Sequence, residues 1–368
     1  MSETFDVCIR GAGITGRTLA LLLAQQRLRV ALVDRDHSQS RSPSPDVRAY
    51  ALNAASRTLL ESLRVWPAPE HATPVLHMDV RGDDSGRLQF DARHAGADAL
   101  GWIVDVPVLE HALAQAIDFQ PMIERINAPV PASLTAVCEG RSSSTRAEFG
   151  VEFDALAYPH HALAARLNCT EPHGQTAHQW FSDGQVLALL PMGGAQGRSA
   201  ALVWSVQPER CQQLLALPAQ EFCATLAHAC GNQLGDMTLL SERVAWPLLH
   251  ASAQRWVGAG WALVGDAAHA VHPLAGQGLN LGLADVAQLA QVLSQREYWR
   301  GVGDERLLRR YERARRGQVA LVGGLGHGLQ GLFHHTHPWM RGLRNTGMSG
   351  VDRSSMLKRW LISQAGGL

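Results

Sequence analysis

Two clusters of residues could carry chemistry. The denser is Gly260–Val286, GWALVGDAAHAVHPLAGQGLNLGLADV, which brings Asp266, His269 and His272 close together ahead of a glycine pair and a helical pattern. Three readings fit these residue types. The histidines could ligate a metal, which would need a further ligand and an outer shell that the stretch does not supply. They could be an acid–base pair. Or the segment could be a cradle, with Asp266 accepting hydrogen bonds from a polyhydroxyl chain and a helix N-terminus facing an electron-rich ring edge. The second cluster is Gly11, Gly13 and Gly16 in GAGITG, followed by Asp34. That G-x-G-x-x-G spacing suits a pyrophosphate: the first glycine permits a tight turn, the second lets the phosphates reach the backbone, and the third lets a helix pack closely on a strand. Asp34 is placed to bind a ribose diol, and its charge disfavours a 2′-phosphate, so FAD or NAD fits better than NADP.

Such residues need elements to hold them. FDVCIR (5–10) reads as a strand, the segment from the glycines to Gln26 as a helix, and RVALVD (29–34) as a second strand ending in the acid. A helix N-terminus then points its free N–H groups at the pyrophosphate. WALVGD (261–266) reads as a buried strand, AAHAVHPLAGQG as a loop and LNLGLADVAQLAQVL (279–293) as a helix. Gly276 and Gly278, just before that helix, leave the backbone bare for a flat ring. LHMDVRGDDSGRLQF (76–90) reads as a hairpin. Arg48 stands before a short apolar run, either as a surface arginine or as a cation near the phosphates. Arg10 stands where a small or apolar residue is usual and is expected to point out of the sheet.

Composition narrows the class. The 368 residues are 46% apolar and 18% charged, with 33 Lys+Arg balancing 33 Asp+Glu. That is enough chain for two domains with a large core, and it gives no bulk charge for nucleic acid. RLLRRYERARR (306–316) reads as a solvated helix face. Six scattered cysteines without a CxxC pair suggest a reducing compartment, and no secretory signal or membrane-spanning run is apparent. A cytoplasmic protein is expected. The histidines at 327, 334, 335 and 337 read as surface or packing residues rather than metal ligands.

GAGITG, RAYAL and GDAAHAVHPLAGQGLNLGLADV together resemble the FAD-dependent aromatic hydroxylases of the p-hydroxybenzoate hydroxylase fold. More narrowly they resemble the ubiquinone-biosynthesis hydroxylases. Residues 158–192, VWSVQP (203–208) and 344–367 are similar to the same subfamily. The resemblance implies an α/β fold: a three-layer Rossmann-like FAD-binding domain interleaved with a sheet-based substrate domain, followed by C-terminal helices. The expected division is 1–70, 101–150 and 256–325 for FAD, 71–100 and 151–255 for substrate, and 326–368 as a helical segment. It places Gly11, Gly13, Gly16 and Asp34 at the ADP half of FAD and Arg48 near the cofactor. It places Asp266 at the ribityl and phosphate region, and Pro273 beside the flavin. Gly276, Gln277, Gly278, Leu279 and Asn280 follow along the ring edge and pyrophosphate. It also implies a further FAD and NAD(P)H motif built on Asp-Gly, whose place here is taken by CEGRSSSTR (138–146), with Glu139 and Gly140.

The implied reaction is ring hydroxylation: NAD(P)H reduces FAD, O2 forms a C4a-hydroperoxide, and its distal oxygen attacks a phenol. The implied partners are a hydrophobic aromatic substrate and O2, with a peripheral contact to the inner membrane and a biosynthetic complex or homo-oligomer as further expectations. No protein side chain is assigned as catalytic, because the chemistry belongs to the cofactor. The sequence departs from the pattern in three places, the first being Val106-Pro107 where the family tends to have polar residues near the flavin. Glutamate replaces aspartate at 139, and the segment between Leu113 and Glu139 is short, with one good strand candidate, LTAVCEG. Three functions stay open: hydroxylation of a polyprenylated phenol in ubiquinone synthesis, a catalytically weak flavin-binding scaffold, and hydroxylation of a small soluble aromatic.

Overall fold

The computed structural model of the chain describes residues 5–34, 46–82, 86–270 and 277–334, with backbone alone at 95 and 325–334. Its first sheet has six strands in the order Val257–Gly258, Trp261–Leu263, Ala132–Val137, Phe5–Arg10, Val30–Val33, Ile123–Ile126. All neighbours are parallel except the edge pair Val257–Gly258 and Trp261–Leu263. Parallel strands need covering on both faces, and Val30–Val33 is a continuous buried apolar run for that reason. The helix Ile14–Gln25 packs between Val106–Asp118 and Gln277–Ser294, and Glu305–His334 packs on Gln277–Ser294. Leu19, Leu23, Leu109, Leu113, Leu283 and Leu289 are fully buried in the shared core.

The second sheet has nine strands. Phe153–Cys169 is its spine, antiparallel to both Ser199–Val206 and Val244–Ala253. Gln185–Met192 and Thr176–Ser182 extend it, and Thr176–Ser182 takes His77–Arg81 as a parallel neighbour. His77–Arg81 pairs antiparallel with Arg87–Asp91, the hairpin read from alternation. Helices Pro208–Ala216 and Ala219–Ala229 cover one face through Leu214, Phe222 and Leu226. Ala49–Leu52, Gly101–Asp105 and Ala72–Val75 form a small antiparallel sheet between the two large ones. The result is the mixed α/β architecture expected.

Two expectations are corrected. The short segment before Glu139 holds two strands, not one: Ile123–Ile126 pairs with Val30–Val33 in addition to Ala132–Val137 beside Phe5–Arg10. The basic stretch is not wholly solvated, since Leu307, Leu308 and Tyr311 are fully buried and Arg315 is 3% exposed.

Candidate cofactor site

The glycines of GAGITG do three different things. Gly11 has φ +110°, and a Cβ there would lie 2.5 Å from the Cys138 carbonyl oxygen. A Cβ at Gly16 would lie 1.9 Å from the Gly11 oxygen. These two are required by the packing of turn on helix. Gly13 differs, because a Cβ there meets nothing within 4 Å among the described residues. It is the N-cap of Ile14–Gln25 and offers no side-chain cap, so the first N–H groups of the helix stay available to an anion. Asp34 follows Val30–Val33, is buried, and lies 3.7 Å from the Arg17 guanidinium. Arg17 in turn donates to the Glu110 carbonyl at 3.0 Å.

Arg48 is held between two acids. Its Nε donates to both Asp46 oxygens at 2.9 Å, and its guanidinium lies 3.3 Å from Glu110. The bond to Asp46 holds Arg48 protonated more firmly than usual. Burial would raise the Asp46 carboxyl, but the Arg48 contacts overcome it and hold it below the ordinary range. Tyr50, two residues on, is pushed up by burial.

Glu139 turns back on its own loop. Its carboxylate accepts from Ser143 Oγ at 2.8 Å, Thr145 N at 3.1 Å and Thr145 Oγ1 at 2.8 Å. This caps the short helix Ser144–Glu148, whose N-cap is Ser143. Arg10 is not turned out to solvent alone: its guanidinium donates to Thr145 Oγ1 at 2.7 Å and pairs with Glu148. Gly140 has φ +75° and open space at its Cβ position. Arg146 is buried over the Phe153 ring and donates to the Ala267 carbonyl at 3.0 Å, tying this loop to the Asp266 turn.

That turn is tighter than the sequence reading. The strand stops at Leu263, and Gly265 at φ +61° opens a 3-10 turn, Gly265–Ala267, that carries Asp266. Asp266 is exposed between buried neighbours. Surrounding protein raises its carboxyl; His269 and Arg141 oppose this and Asp285 adds to it. His269 faces the interior, 2% exposed. Its Nε2 lies 2.6 Å from Asp285 Oδ2, and its ring is 4.9 Å from Trp256. Asp285 is fully buried and also accepts from Arg315 Nε at 2.7 Å and from Gly265 N at 3.0 Å. Burial would raise the Asp285 carboxyl, but His269 and Arg315 outweigh it and hold it low.

The sequence reading missed this cluster. A lone acid in the apolar run LNLGLADV was its one local signal.

Gln277, Gly278, Leu279 and Asn280 form the first turn of Gln277–Ser294, and a Cβ at Gly278 would meet nothing within 4 Å among the described residues. The Asn280 side chain ties the helix to the neighbouring strand and helix. It donates to the Ala51 carbonyl at 2.8 Å and accepts from Asn53 N at 3.0 Å and Ser56 Oγ at 2.7 Å, docking the helix on Ala49–Leu52. His272, Pro273 and Gly276 lie outside the described residues.

These groups suit FAD. There is an uncapped helix start at Gly13, a second helix start carrying Gly278, a carboxylate at Asp34 for a ribose, and a carboxylate at Asp266.

Comparison with known proteins agrees with this arrangement. A family described as "FAD binding domain" matches residues 4–96 and 125–322. The chain is 31% identical over 398 aligned residues to the 3-demethoxyubiquinol 3-hydroxylase of Escherichia coli K12, covering 100% of both. It is 30% identical to ubiquinone hydroxylase UbiL of Rhodospirillum rubrum, covering 98% of this chain and 89% of that one. In fold it is similar to PqsL of Pseudomonas aeruginosa, described as a probable FAD-dependent monooxygenase. The TM-score is 0.76 at 21% identity, over 95% of this chain and 100% of that one. With its glycine turns, its acids and its sequence matched along most of its length, the chain belongs to the FAD-binding-domain family.

Proposed function

We propose that the protein is an FAD-dependent monooxygenase that hydroxylates the ring of a polyprenylated phenol in ubiquinone synthesis, with NAD(P)H as electron donor. The names of the E. coli and R. rubrum relatives support the reaction class. One observation carries the substrate class. The nine-stranded sheet has a face opposite its covering helices, and aligned neighbours cross it in rows. One row is Phe181, Val186, Ser205, Ala162, Trp246; the next is Gln179, Ala188, Val203, Ala164, Val244. Apart from Gln179, these side chains are small or apolar. Arg166 sits one row further and is committed: it makes paired bonds to Asp105 at 2.9 and 3.0 Å and donates to the Arg48 carbonyl. A wall of this kind suits an uncharged greasy ring and offers no free cation from these rows to a substrate carboxylate.

When bound, FAD supplies the activation of O2, with one oxygen atom entering the ring and the other leaving as water at the expense of NAD(P)H. The chain's own residues do the rest. Gly11, Gly13, Gly16 and Asp34 would hold the ADP half, with Arg48 near the phosphates. Glu139 and Gly140 would shape the loop beside it. Asp266 would bind the ribityl chain, and Pro273 and Gly276 would border the ring. Gln277, Gly278 and Leu279 would present backbone N–H groups to the flavin edge, where reduced flavin gathers negative charge. Asn280 would act by fixing that helix. We assign 1–70, 101–150 and 256–325 to the FAD domain and 71–100 and 151–255 to the substrate domain; of the C-terminal segment expected over 326–368, residues 335–368 lie outside the described residues.

The test is turnover by the purified protein with FAD and NADH or NADPH under 18O2. Incorporation of one labelled oxygen atom into a prenylated phenol, with none into 4-hydroxybenzoate, is the expected result. Turnover of the small acid instead would reassign the substrate. Tight FAD binding without substrate-dependent O2 uptake would make the protein a scaffold.

A further inference from the structure

The loop between Gln277–Ser294 and Glu305–His334 presents two adjacent aromatic side chains to water. Tyr298 is 94% exposed and Trp299 is 67% exposed, stacked edge to face at 4.8 Å. The loop is braced. Arg300 pairs with Glu297 and Asp304 at 3.0 Å, Asp304 caps the Leu307 N–H, and Arg310 pairs with Glu297 at 2.7 Å. The aromatic pair is therefore fixed at the start of the long helix.

The outward face of that helix carries Arg306, Arg309, Arg310, Arg313 and Arg316, all exposed. Residues 294–316 contain eight arginines and four acids, in a chain whose 33 basic and 33 acidic residues balance overall. One of the eight, Arg315, turns inward to Asp285. Leu321, 55% exposed, lies three turns beyond Arg310 on the same side. Tyr and Trp favour the boundary between headgroups and acyl chains, and a cationic face is drawn to anionic headgroups. Among the described residues no helix is long and apolar enough to cross a membrane, so the contact would be peripheral.

We infer that the Tyr298–Trp299 loop and the arginine face behind it dock on an anionic lipid bilayer. The inference deepens the substrate reading, because a prenylated phenol partitions into a bilayer. The surface itself can be tested without substrate.

The experiment is co-sedimentation of the FAD-loaded full chain with vesicles of phosphatidylcholine alone and of equal parts phosphatidylcholine and phosphatidylglycerol. Binding to the mixed vesicles alone is expected, weakening as salt screens the charges. A Tyr298→Ser/Trp299→Ser variant should bind them about tenfold or more weakly. Arg309→Gln/Arg313→Gln should lose part of the affinity and most of its salt dependence. Both variants should keep the parent melting temperature and the parent rate on a water-soluble short-tail quinol.

Equal binding to neutral vesicles, no binding to either, or unchanged binding by the aromatic variant would each overturn the inference. So would capture by an acidic protein but not by vesicles. Failure to bind vesicles while a long-tail quinol is still hydroxylated removes the surface and leaves the substrate reading intact. Vesicle binding without hydroxylation of any quinol does the reverse.

Discussion

Asp285→Asn should uncouple the Asp266 turn from the body of the protein. The carboxylate is fully buried, and it accepts from His269 at 2.6 Å, Arg315 at 2.7 Å and the Gly265 N–H at 3.0 Å. An amide has one acceptor oxygen and must turn its NH2 toward one of the three donors. Arg315 is then a buried cation without its counter-charge, which costs about 3–5 kcal/mol. For a chain of this length that corresponds to a melting temperature about 5 °C lower. A second effect falls on the cofactor. The Gly265 N–H is anchored one residue before Asp266, and losing a charge-assisted hydrogen bond there should weaken FAD binding about 10- to 100-fold. The assay is thermal unfolding with and without FAD, alongside titration of flavin fluorescence. In the Asp285→Asn background, Arg315→Gln, which removes the stranded charge, should recover part of the stability loss. An Asp285→Asn protein with the parent melting temperature and parent FAD affinity would refute the reasoning. A stability loss with unchanged FAD affinity would confine the cluster to structure.

Gly16→Ala should not yield folded protein, because its Cβ would sit 1.9 Å from the Gly11 oxygen, whereas Gly13→Ala should fold and lose FAD affinity, because only the approaching ligand is obstructed; soluble yield and flavin titration separate the two. Asp266→Asn should melt no lower than the parent, since a carboxylate whose pKa is raised by the protein packed around it costs stability once ionised above that pKa, yet it should bind FAD more weakly. His178, pushed down to about 4 by burial despite Asp79, favours its neutral form in the folded state. Stability should therefore fall as pH drops from about 6.5 toward 4, by up to about 3 kcal/mol, and His178→Gln should flatten that fall in acid melting curves.

Local spacing made the glycine turn, the strand before it and Asp34 legible, because their roles depend on neighbours within one strand–turn–helix unit. The cluster under Asp266 was not legible, because His269, Asp285 and Arg315 come from three elements and meet only when the long helix packs on Gln277–Ser294. Arg315 looks like any arginine in RLLRRYERARR; the helix phase alone turns it inward. Ile123–Ile126 was missed for a related reason. Four residues flanked by prolines carry a weak pattern, and pairing with Val30–Val33 makes them a strand. Asn280 is placed along the flavin edge by its position in the motif, and its side-chain bonds to Ala51, Asn53 and Ser56 have no local signal because those residues lie far off in sequence.

The two odd residues of the sequence, Arg10 and Glu139, are parts of one device. Arg10 donates to Thr145 Oγ1 at 2.7 Å, and the same hydroxyl donates to Glu139 at 2.8 Å. The extra methylene of glutamate gives its carboxylate the reach to span Ser143 and Thr145 together. The loop so held carries Gly140 with open space beside it and Arg146, which reaches the Asp266 turn. The departures thus brace the loop from the far side of Gly140. Thr145→Val tests this, because it removes the shared hydroxyl and keeps the volume. If the relay positions the loop, the variant should lose about 1–2 kcal/mol of stability, and adding Arg10→Met should cost little more. Additive losses would mean that Arg10 and Glu139 act separately.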